Sequence, residues 1–281
     1  MKKQQIILTG GAVALLFIIY FFGNNVPPIE KKPVEAATHQ EETPLDINTI
    51  LSASKRQLTP EQSAFVSRLE SAVVRGNVKE QQISVYRQLA DFWKDTVHLL
   101  LPYSYYTAEA AKLENSEKSL TFAAQFFAGN MRRQQEPSLK KWMAIQAKEL
   151  FEKALEINPG SDSLKIGLGS CYLFGNISDN PMQGISMIRE VASRDSTNMY
   201  AQFMLGMGGL VSGQLDLAIQ RLLKVARYEP NNAEAVLALA DAFERKNDKA
   251  NAIMWYEKGK ELIGDPDFIK EIDQRISLLK T

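Results

Sequence analysis

The chain has 281 residues, 45% of them hydrophobic, so it holds enough apolar material for one or two compact domains and is not a disordered protein. Lysine plus arginine and aspartate plus glutamate number 33 each, which leaves no net charge to attract nucleic acid or an anionic surface. Nucleic-acid binding is therefore not expected.

The N-terminus contains a candidate membrane span. Lys2 and Lys3 precede an uncharged run from Ile6 to Phe22, which at 17 residues is near the lower limit for a helix that crosses a bilayer. Because positive charge stays inside, residues 1–5 are predicted to be cytoplasmic, residues 6–23 to form a transmembrane anchor, and the body to be extracytoplasmic. This predicts a single-pass protein of the inner (cytoplasmic) membrane with its body in the periplasm.

Two other interpretations of this segment make different demands on the sequence. A cleaved signal peptide needs a small-x-small site, and the nearest candidate, at Ala36 and Ala37, comes about a dozen polar residues too late. A bacterial lipoprotein needs a cysteine just after the apolar run, and the sequence has none there. The uncleaved anchor is favoured, and cleavage is the alternative that stays open.

Residues 24–57 carry prolines among charged and polar residues and few bulky apolar ones, which predicts a disordered tether with a mean reach of roughly 30 Å. Thr59, Pro60 and Glu61 then predict a helix start. Residues 58–116 are predicted to form degenerate helical repeats, and the sequence leaves their register undetermined.

Residues 117–161 are predicted to form an expanded helical unit with a long inner turn at "RRQQEPS". Its second helix carries Ala147, Phe151 and Ala154 at the spacing that Ala218, Leu222 and Val225 have further along the chain. Asn158 and Pro159 end that helix.

Residues 162–264 repeat about every 34 residues and are predicted to form three units, the first of which has 37 residues because of an insertion at "GNISDNPMQG". Matching positions hold a leucine followed by a small residue, then a small residue, then a bulky one four residues on. These are Leu168, Leu205 and Leu239; Gly169, Gly206 and Ala240; Gly184, Ala218 and Ala252; and Ile188, Leu222 and Tyr256.

This pattern resembles the tetratricopeptide repeat, or TPR. The resemblance implies an all-α, TPR-like solenoid of antiparallel helix pairs, preceded here by the single transmembrane helix. Residues 265–281 add Phe268, Ile272, Ile276 and Leu279 on one helical face, which predicts a C-terminal capping helix. With its anchor, the chain resembles TPR proteins of the bacterial envelope.

The sequence offers no constellation of reactive residues, so the protein is predicted not to be an enzyme and to use no cofactor or metal. His39 and His98 have no metal-ligand spacing, and Cys171 is expected to be a buried packing thiol. The stretch "LGMGGLVSG" lacks the lysine of a phosphate-binding loop. There Gly206 is expected to let two helices approach and Gly213 to turn the chain.

In TPR solenoids the first helix of each unit lines a concave groove in which partner peptides lie, and this resemblance names the candidate site. The groove residues would be Ile166, Ser170, Leu173, Phe174, Phe203, Met207, Leu210, Val211, Leu237 and Asp241, with Glu244 and Arg245 at the charged end. Most of them are apolar, which favours an amphipathic helix or an extended apolar segment as the partner. The lysine and asparagine clamp that some TPR domains use for a terminal carboxylate is absent. The alternative is that neighbouring helices bury these side chains.

The sequence therefore predicts a membrane-anchored scaffold that binds a protein or peptide partner of unknown identity through an apolar groove, in envelope assembly or protein transport. The anchored TPR proteins that accompany the bacterial secretion channel, or that hold apocytochromes, are similar in plan. The alternative is a structural module that packs in a larger complex or self-associates without a peptide ligand. The oligomeric state does not follow from the sequence.

Overall fold

The structure is a computed structural model in which residues 45–75, 78–178 and 180–281 are described. All regular elements in these ranges are helical, as predicted. The predicted cytoplasmic segment 1–5, the anchor 6–23 and residues 24–44 of the tether lie outside them. Within the described ranges, no helix combines the length and the apolar character that a membrane span requires.

The helices before residue 116 form an N-terminal group. They are α1 (Ile47–Lys55), α2 (Pro60–Arg75), α3 (Lys79–Asp91) with a π-helical turn at Phe92–Thr96, and α4 (Leu100–Glu114). Helices α3 and α4 pack as a pair, and α2 packs on α3. Leu89 and Trp93 are completely buried in the core of this group.

The later helices form successive antiparallel pairs. They are α5 (Glu117–Arg133) with α6 (Pro137–Ile157), α7 (Asp162–Phe174) with α8 (Met182–Arg194), α9 (Met199–Val211) with α10 (Leu215–Tyr228), α11 (Ala233–Arg245) with α12 (Lys249–Leu262), and a final helix α13 (Pro266–Lys280). Each pair packs against the next, which makes an α-solenoid.

Helix α1 lies in the stretch that the sequence places in the disordered tether. The Asp46 carboxylate caps it by accepting from the Asn48 amide at 3.1 Å. Ile50 is buried in the same cluster as Phe127, and Leu51 in the same cluster as Trp93. The tether interpretation is therefore corrected for residues 47–55, because a nine-residue helix draws its stability from such packing rather than from its own composition.

An ion pair and a hydrogen bond hold the N-terminal helices together. Lys55 Nζ of α1 lies 2.6 Å from the Glu70 carboxylate of α2. The same carboxylate accepts from the Tyr106 hydroxyl of α4 at 2.5 Å. Burial, and then the bond to Glu70, raise the pKa of Tyr106, so this phenol stays protonated. Glu70 thus links three helices.

The unit at residues 117–157 is expanded by its helices and not by its turn. Helices α5 and α6 have 17 and 21 residues, and only residues 134–136 connect them. The Glu136 carboxylate caps α6 by accepting from Ser138 N at 2.9 Å and Leu139 N at 2.5 Å, with Pro137 in the first turn. The predicted long inner turn is wrong because the arginines of "RRQQEPS" extend α5 and this cap starts α6 at once.

The small residues of the repeat pattern lie where paired helices touch. A Cβ atom added to Gly184 would lie 2.2 Å from the Gly169 carbonyl oxygen. Further along each unit, Ile188, Leu222 and Tyr256 are buried between the helices. Gly213 has φ +74° and lies between α9 and α10, where glycine suits the left-handed backbone of the turn. The helix approach and the turn that the repeat register predicts are both present.

Helix α13 covers the last repeat. Ile272 and Ile276 are buried in one cluster with Tyr256. Arg275 Nε donates to Glu244 Oε2 at 2.7 Å, and the Tyr256 hydroxyl donates to the same oxygen at 2.8 Å. Burial of Glu244 acts to raise its pKa, but these two bonds and the positive charges of Arg275 and Arg245 together outweigh it, and the pKa is lowered. The capping helix is thus held by apolar packing and by a charged contact to α11.

Candidate functional site

The first helices of the four pairs form one continuous surface. Helix α5 contacts α7, α7 contacts α9, and α9 contacts α11. This surface is the counterpart of the concave groove that the sequence predicts. The distances between these helices determine which parts of the surface are open to a partner.

Most of the predicted groove residues are covered. The buried ones are Ile166, Ser170, Phe203 and Leu210, and the half-buried ones are Leu173, Phe174, Met207, Leu237 and Asp241. Val211 alone among the ten is well exposed, at 66%. The ten side chains therefore do not form one open apolar groove. The four buried ones fit the alternative interpretation, in which neighbouring helices cover them.

Glycines on the first helices account for part of this burial. A Cβ atom at Gly208 of α9 would lie 2.9 Å from Cδ2 of Leu173 on α7, so the absence of a side chain lets Leu173 pack onto the next unit. The Ser170 hydroxyl turns inward and donates to the Gly167 carbonyl at 2.7 Å. Ile166 and Phe203 join the core that these units share.

The charged end of the predicted groove is already paired. Asp241 lies 2.8 Å from Arg245 Nε and 3.6 Å from Arg275 Nη2 of the capping helix. Glu244 accepts from Arg275, as described above. These carboxylates bind the capping helix, and their negative charge is therefore largely balanced before any ligand arrives.

An opening remains near the start of the surface, in the form of a cavity of about 330 Å³ that we call the concave cavity. Three successive first helices, α5, α7 and α9, supply its walls. The lining residues are Gln125, Ala128, Gly129, Arg132, Ser163, Ser170, Tyr200 and Met204. Of the predicted groove residues, it contains Ser170.

The repeat spacing of the sequence indicates some of the residues that line this cavity. Ser163, Tyr200 and Glu234 follow one another at the unit spacings of 37 and 34 residues, and each lies in the first turn of a first helix. Ser163 and Tyr200 line the cavity, while Glu234 pairs with its Arg132. The α5 residues carried no such signal, because the expanded unit departs from the register.

Arg132 dominates the electrostatics of the concave cavity. Its Nη1 lies 3.0 Å from Glu234 Oε1, so an ion pair runs from α5 to α11. Its guanidinium carbon lies 5.7 Å from the centre of the Phe203 ring, within cation–π range. Nη1 is buried and makes no hydrogen bond within the part of the chain that the structure describes. An acceptor of good geometry at this position would satisfy it.

Tyr200 is the aromatic side chain of the cavity wall. It is 38% exposed, and burial of its hydroxyl raises its pKa while nearby Arg132 opposes the rise. The phenol is therefore protonated at neutral pH and can donate or accept a hydrogen bond. With Gln125 and Ser163 it gives the cavity several uncharged polar groups beside the apolar Ala128 and Met204.

The residues considered for chemistry lie apart from this cavity. Cys171 is fully buried, and burial raises its pKa to about 12, so its thiol is not an activated nucleophile. His98 is exposed, and its Nδ1 lies 2.9 Å from the Lys94 carbonyl oxygen. Among residues 45–75, 78–178 and 180–281, no three His, Cys, Asp or Glu side chains are grouped as metal ligands would be.

Comparison with known proteins gives one family match. The tetratricopeptide repeat model matches residues 233–266, which comprise α11, α12 and the first residue of α13. A search of curated protein sequences finds no match. The chain thus contains a recognisable TPR unit at the end of its solenoid.

Several solved structures are similar at low identity. A crystal structure of MamA is 18% identical over 64% of this chain and 91% of that one, with a TM-score of 0.42. A MamA structure from Desulfovibrio magneticus RS-1 is 20% identical over 64% and 94%, also with a TM-score of 0.42. YrrB, described as a TPR protein with an unusual peptide-binding site, is 18% identical over 76% and 99%, with a TM-score of 0.41.

Proposed function

We propose that this protein is a membrane-anchored, TPR-like scaffold that holds a segment of another protein in the concave cavity. The concave cavity carries this proposal, because three first helices converge on it and it is open where most of the predicted groove is closed. The apolar run at residues 6–22 supports the anchor, and the lysines before it support a periplasmic body. Such a scaffold would serve envelope assembly or protein transport.

The chemistry of the cavity favours a short peptide stretch with one apolar side chain. Ala128 and Met204 offer an apolar contact, while Gln125, Ser163 and Tyr200 offer hydrogen bonds to a peptide backbone. Arg132 lies beside these groups and is already paired with Glu234 at 3.0 Å, so the cavity does not demand a charged ligand. At about 330 Å³ the cavity is at the small end of ligand sites, so it fits a few residues and not a whole helix.

The second candidate is a structural module without a peptide ligand. The burial of Ile166, Phe203 and Leu210 favours it, as does the ion pair of Arg132 and Glu234 across the surface, because both reduce the area left for a partner. The two functions differ in one respect that can be measured, which is whether a protein contacts the concave cavity.

Filling the cavity should abolish partner contact without unfolding the protein. A photo-crosslinking residue at Gln125, which is exposed on the cavity wall, should give a specific protein adduct in cells. The added substitution Gly129→Phe should remove that adduct, because a Cβ atom at Gly129 meets nothing within 4 Å and the ring would extend into the cavity. Adducts are measured by immunoblotting and mass spectrometry.

Two controls make this result specific. Gly129→Ala adds one methyl group at the same position and should leave the adduct in place. A crosslinker at the exposed Arg227 on α10 should not give the same adduct. Persistence of the adduct in Gly129→Phe, with an unchanged thermal melt, would favour the structural module instead.

Alkaline phosphatase fused after Thr281 should be active in a bacterial host, because the enzyme matures only where its disulfides can form. The same fusion without residues 1–23 should be inactive, because its body would stay in the cytoplasm. Enzyme activity per fusion protein is the measurement. An inactive full-length fusion, together with a fluorescent C-terminal fusion of green fluorescent protein, would place the body in the cytoplasm.

A further inference from the structure

A second cavity, which we call the arginine cleft, lies between the second helices α8 and α10 and the C-terminal ends of α7 and α9. Its volume is about 50 Å³, and it shares no lining residue with the concave cavity. Arg189 of α8 and Arg221 of α10 both line it. Its existence does not depend on whether the concave cavity binds a peptide.

The two arginines have no carboxylate partner among the residues that the structure describes. No carboxylate in the described ranges lies within ion-pair distance of Arg189, which is exposed, or of Arg221. Burial lowers the pKa of Arg221, and the positive charge of Arg189 lowers it further, so the two guanidinium groups are close enough to repel each other. An anion bound between them would offset this repulsion.

Three other arginines of the solenoid are paired with carboxylates. Arg194 pairs with Asp162, Arg245 with Asp241, and Arg275 with Glu244. Each of these pairs joins a cation to a carboxylate of its own or a neighbouring helix. The arginine cleft is the place where the repeats bring two such cations together and provide no anion from the described residues.

Arg221 is held in a fixed position in the wall of the cleft. Nη1 donates to Gln202 Oε1 at 2.8 Å, which fixes the side chain. Nε is buried and makes no hydrogen bond to any residue that the structure describes. The positive charge of Arg221, together with that of Arg189, is what the cleft offers to an anion.

The walls of the cleft limit what can bring the anion. Leu173, Ile185 and Leu205 make them largely apolar, and the apolar residues Met182 and Leu217 line the cleft with 51% and 37% of their surfaces exposed. A cavity of about 50 Å³ accepts one small planar group, and exposed apolar side chains favour a neighbour that is itself apolar. A hydrated phosphate matches neither condition as well as a carboxylate does.

We propose that the arginine cleft binds the carboxylate of an acidic side chain in a partner protein, with apolar residues on either side of that acid. Arg221 supplies one positive charge from α10, Arg189 adds a second from α8, and Met182 and Leu217 contact the flanking apolar residues. The contact would give the scaffold a second docking point, on a different side of its first helices from the concave cavity.

The test uses the full-length protein and the peptide acetyl-Leu-Glu-Leu-amide, with acetyl-Leu-Gln-Leu-amide as the neutral match. The glutamate peptide should cause saturable shifts of the Arg221 Nε–H signal in NMR spectra, and also of the Gly208 and Gly209 amides, which line the cleft. Arg189→Gln and Arg221→Gln should each weaken binding at least about tenfold, because a hydrogen bond to a charged group is lost or a charge is removed.

Arg227→Gln is the matched control, because it removes the same charge from an exposed position of α10 and should not change binding. If Arg221→Gln fails to fold, the exposed Arg189→Gln carries the test. The proposal is overturned by the absence of saturable shifts, by equal binding of the glutamine peptide, or by an equal loss in Arg227→Gln. Tighter binding of inorganic phosphate than of the glutamate peptide would overturn the carboxylate assignment. Loss of the Gln125 adduct has no bearing on it.

Discussion

Gly184→Ala should destabilise the protein by roughly 2–4 kcal/mol, because the new methyl group cannot be accommodated by a side-chain movement. Its Cβ atom would lie 2.2 Å from the Gly169 carbonyl oxygen and 3.0 Å from the Leu173 amide nitrogen, and both are backbone atoms. Helices α7 and α8 would have to separate, and the neighbouring units would follow. Urea denaturation followed by circular dichroism measures the free energy of unfolding.

The same substitution at Gly129 provides the comparison. Gly129 lies within α5, and a Cβ atom there meets nothing within 4 Å. Gly129→Ala should stabilise the protein by about 0.5–1 kcal/mol, because alanine restricts the unfolded chain and favours a helix. If Gly184→Ala behaved like Gly129→Ala, the spacing of α7 and α8 would not depend on the missing side chain.

The double substitution Ile50→Ala with Leu51→Ala should cost roughly 3–6 kcal/mol, because each residue loses packing in a different hydrophobic cluster. Each side chain is 8% exposed, Ile50 in the cluster of Phe127 and Leu51 in the cluster of Trp93. Hydrogen exchange should also become faster in α1, where the docking is lost. Thermal denaturation and exchange mass spectrometry are the measurements.

The matched control is Thr49→Ala with Ser52→Ala, which makes the same number of changes on the exposed face of α1. Its effect should stay within about 0.5 kcal/mol, because surface substitutions away from special contacts usually do. An effect of Ile50→Ala with Leu51→Ala no larger than this control would mean that α1 is not docked. Residues 47–55 would then be assigned to the tether, as the sequence predicts.

The repeat pattern was a good guide to the helix pairs because it records contacts that recur. A small residue such as Gly184 must face the partner helix in every unit, so its position identifies the register of both helices. Ile272 and Ile276 identified the cap for the same reason, since an apolar face at helical spacing has to be covered.

Helix α1 escaped prediction because its helix-forming signal is weak. Nine residues with serine, threonine and asparagine among them have low intrinsic helicity, and Ile50 and Leu51 are the hydrophobic residues of this helix that become buried. Those partners lie far along the chain, so composition alone assigned the segment to the tether.

The candidate site was only partly predictable. The register identified the helices that line the surface, but openness depends on how close successive units come. That distance is set by contacts between units, such as Leu173 on Gly208. The arginine cleft could not be predicted for a related reason. Arg189 and Arg221 come together across a boundary between units, where α9 packs against both α8 and α10, and not through any spacing within one unit.

The ion pair of Arg132 and Glu234 has a mechanical consequence. In a solenoid whose units touch only their neighbours, small tilts at each junction add up, and the array stretches like a spring. This pair joins the unit of α5 to the unit of α11, with α7 and α9 between them, and so acts as a brace over that span. The pair therefore restrains changes in the tilt between these units, in addition to the packing at each junction.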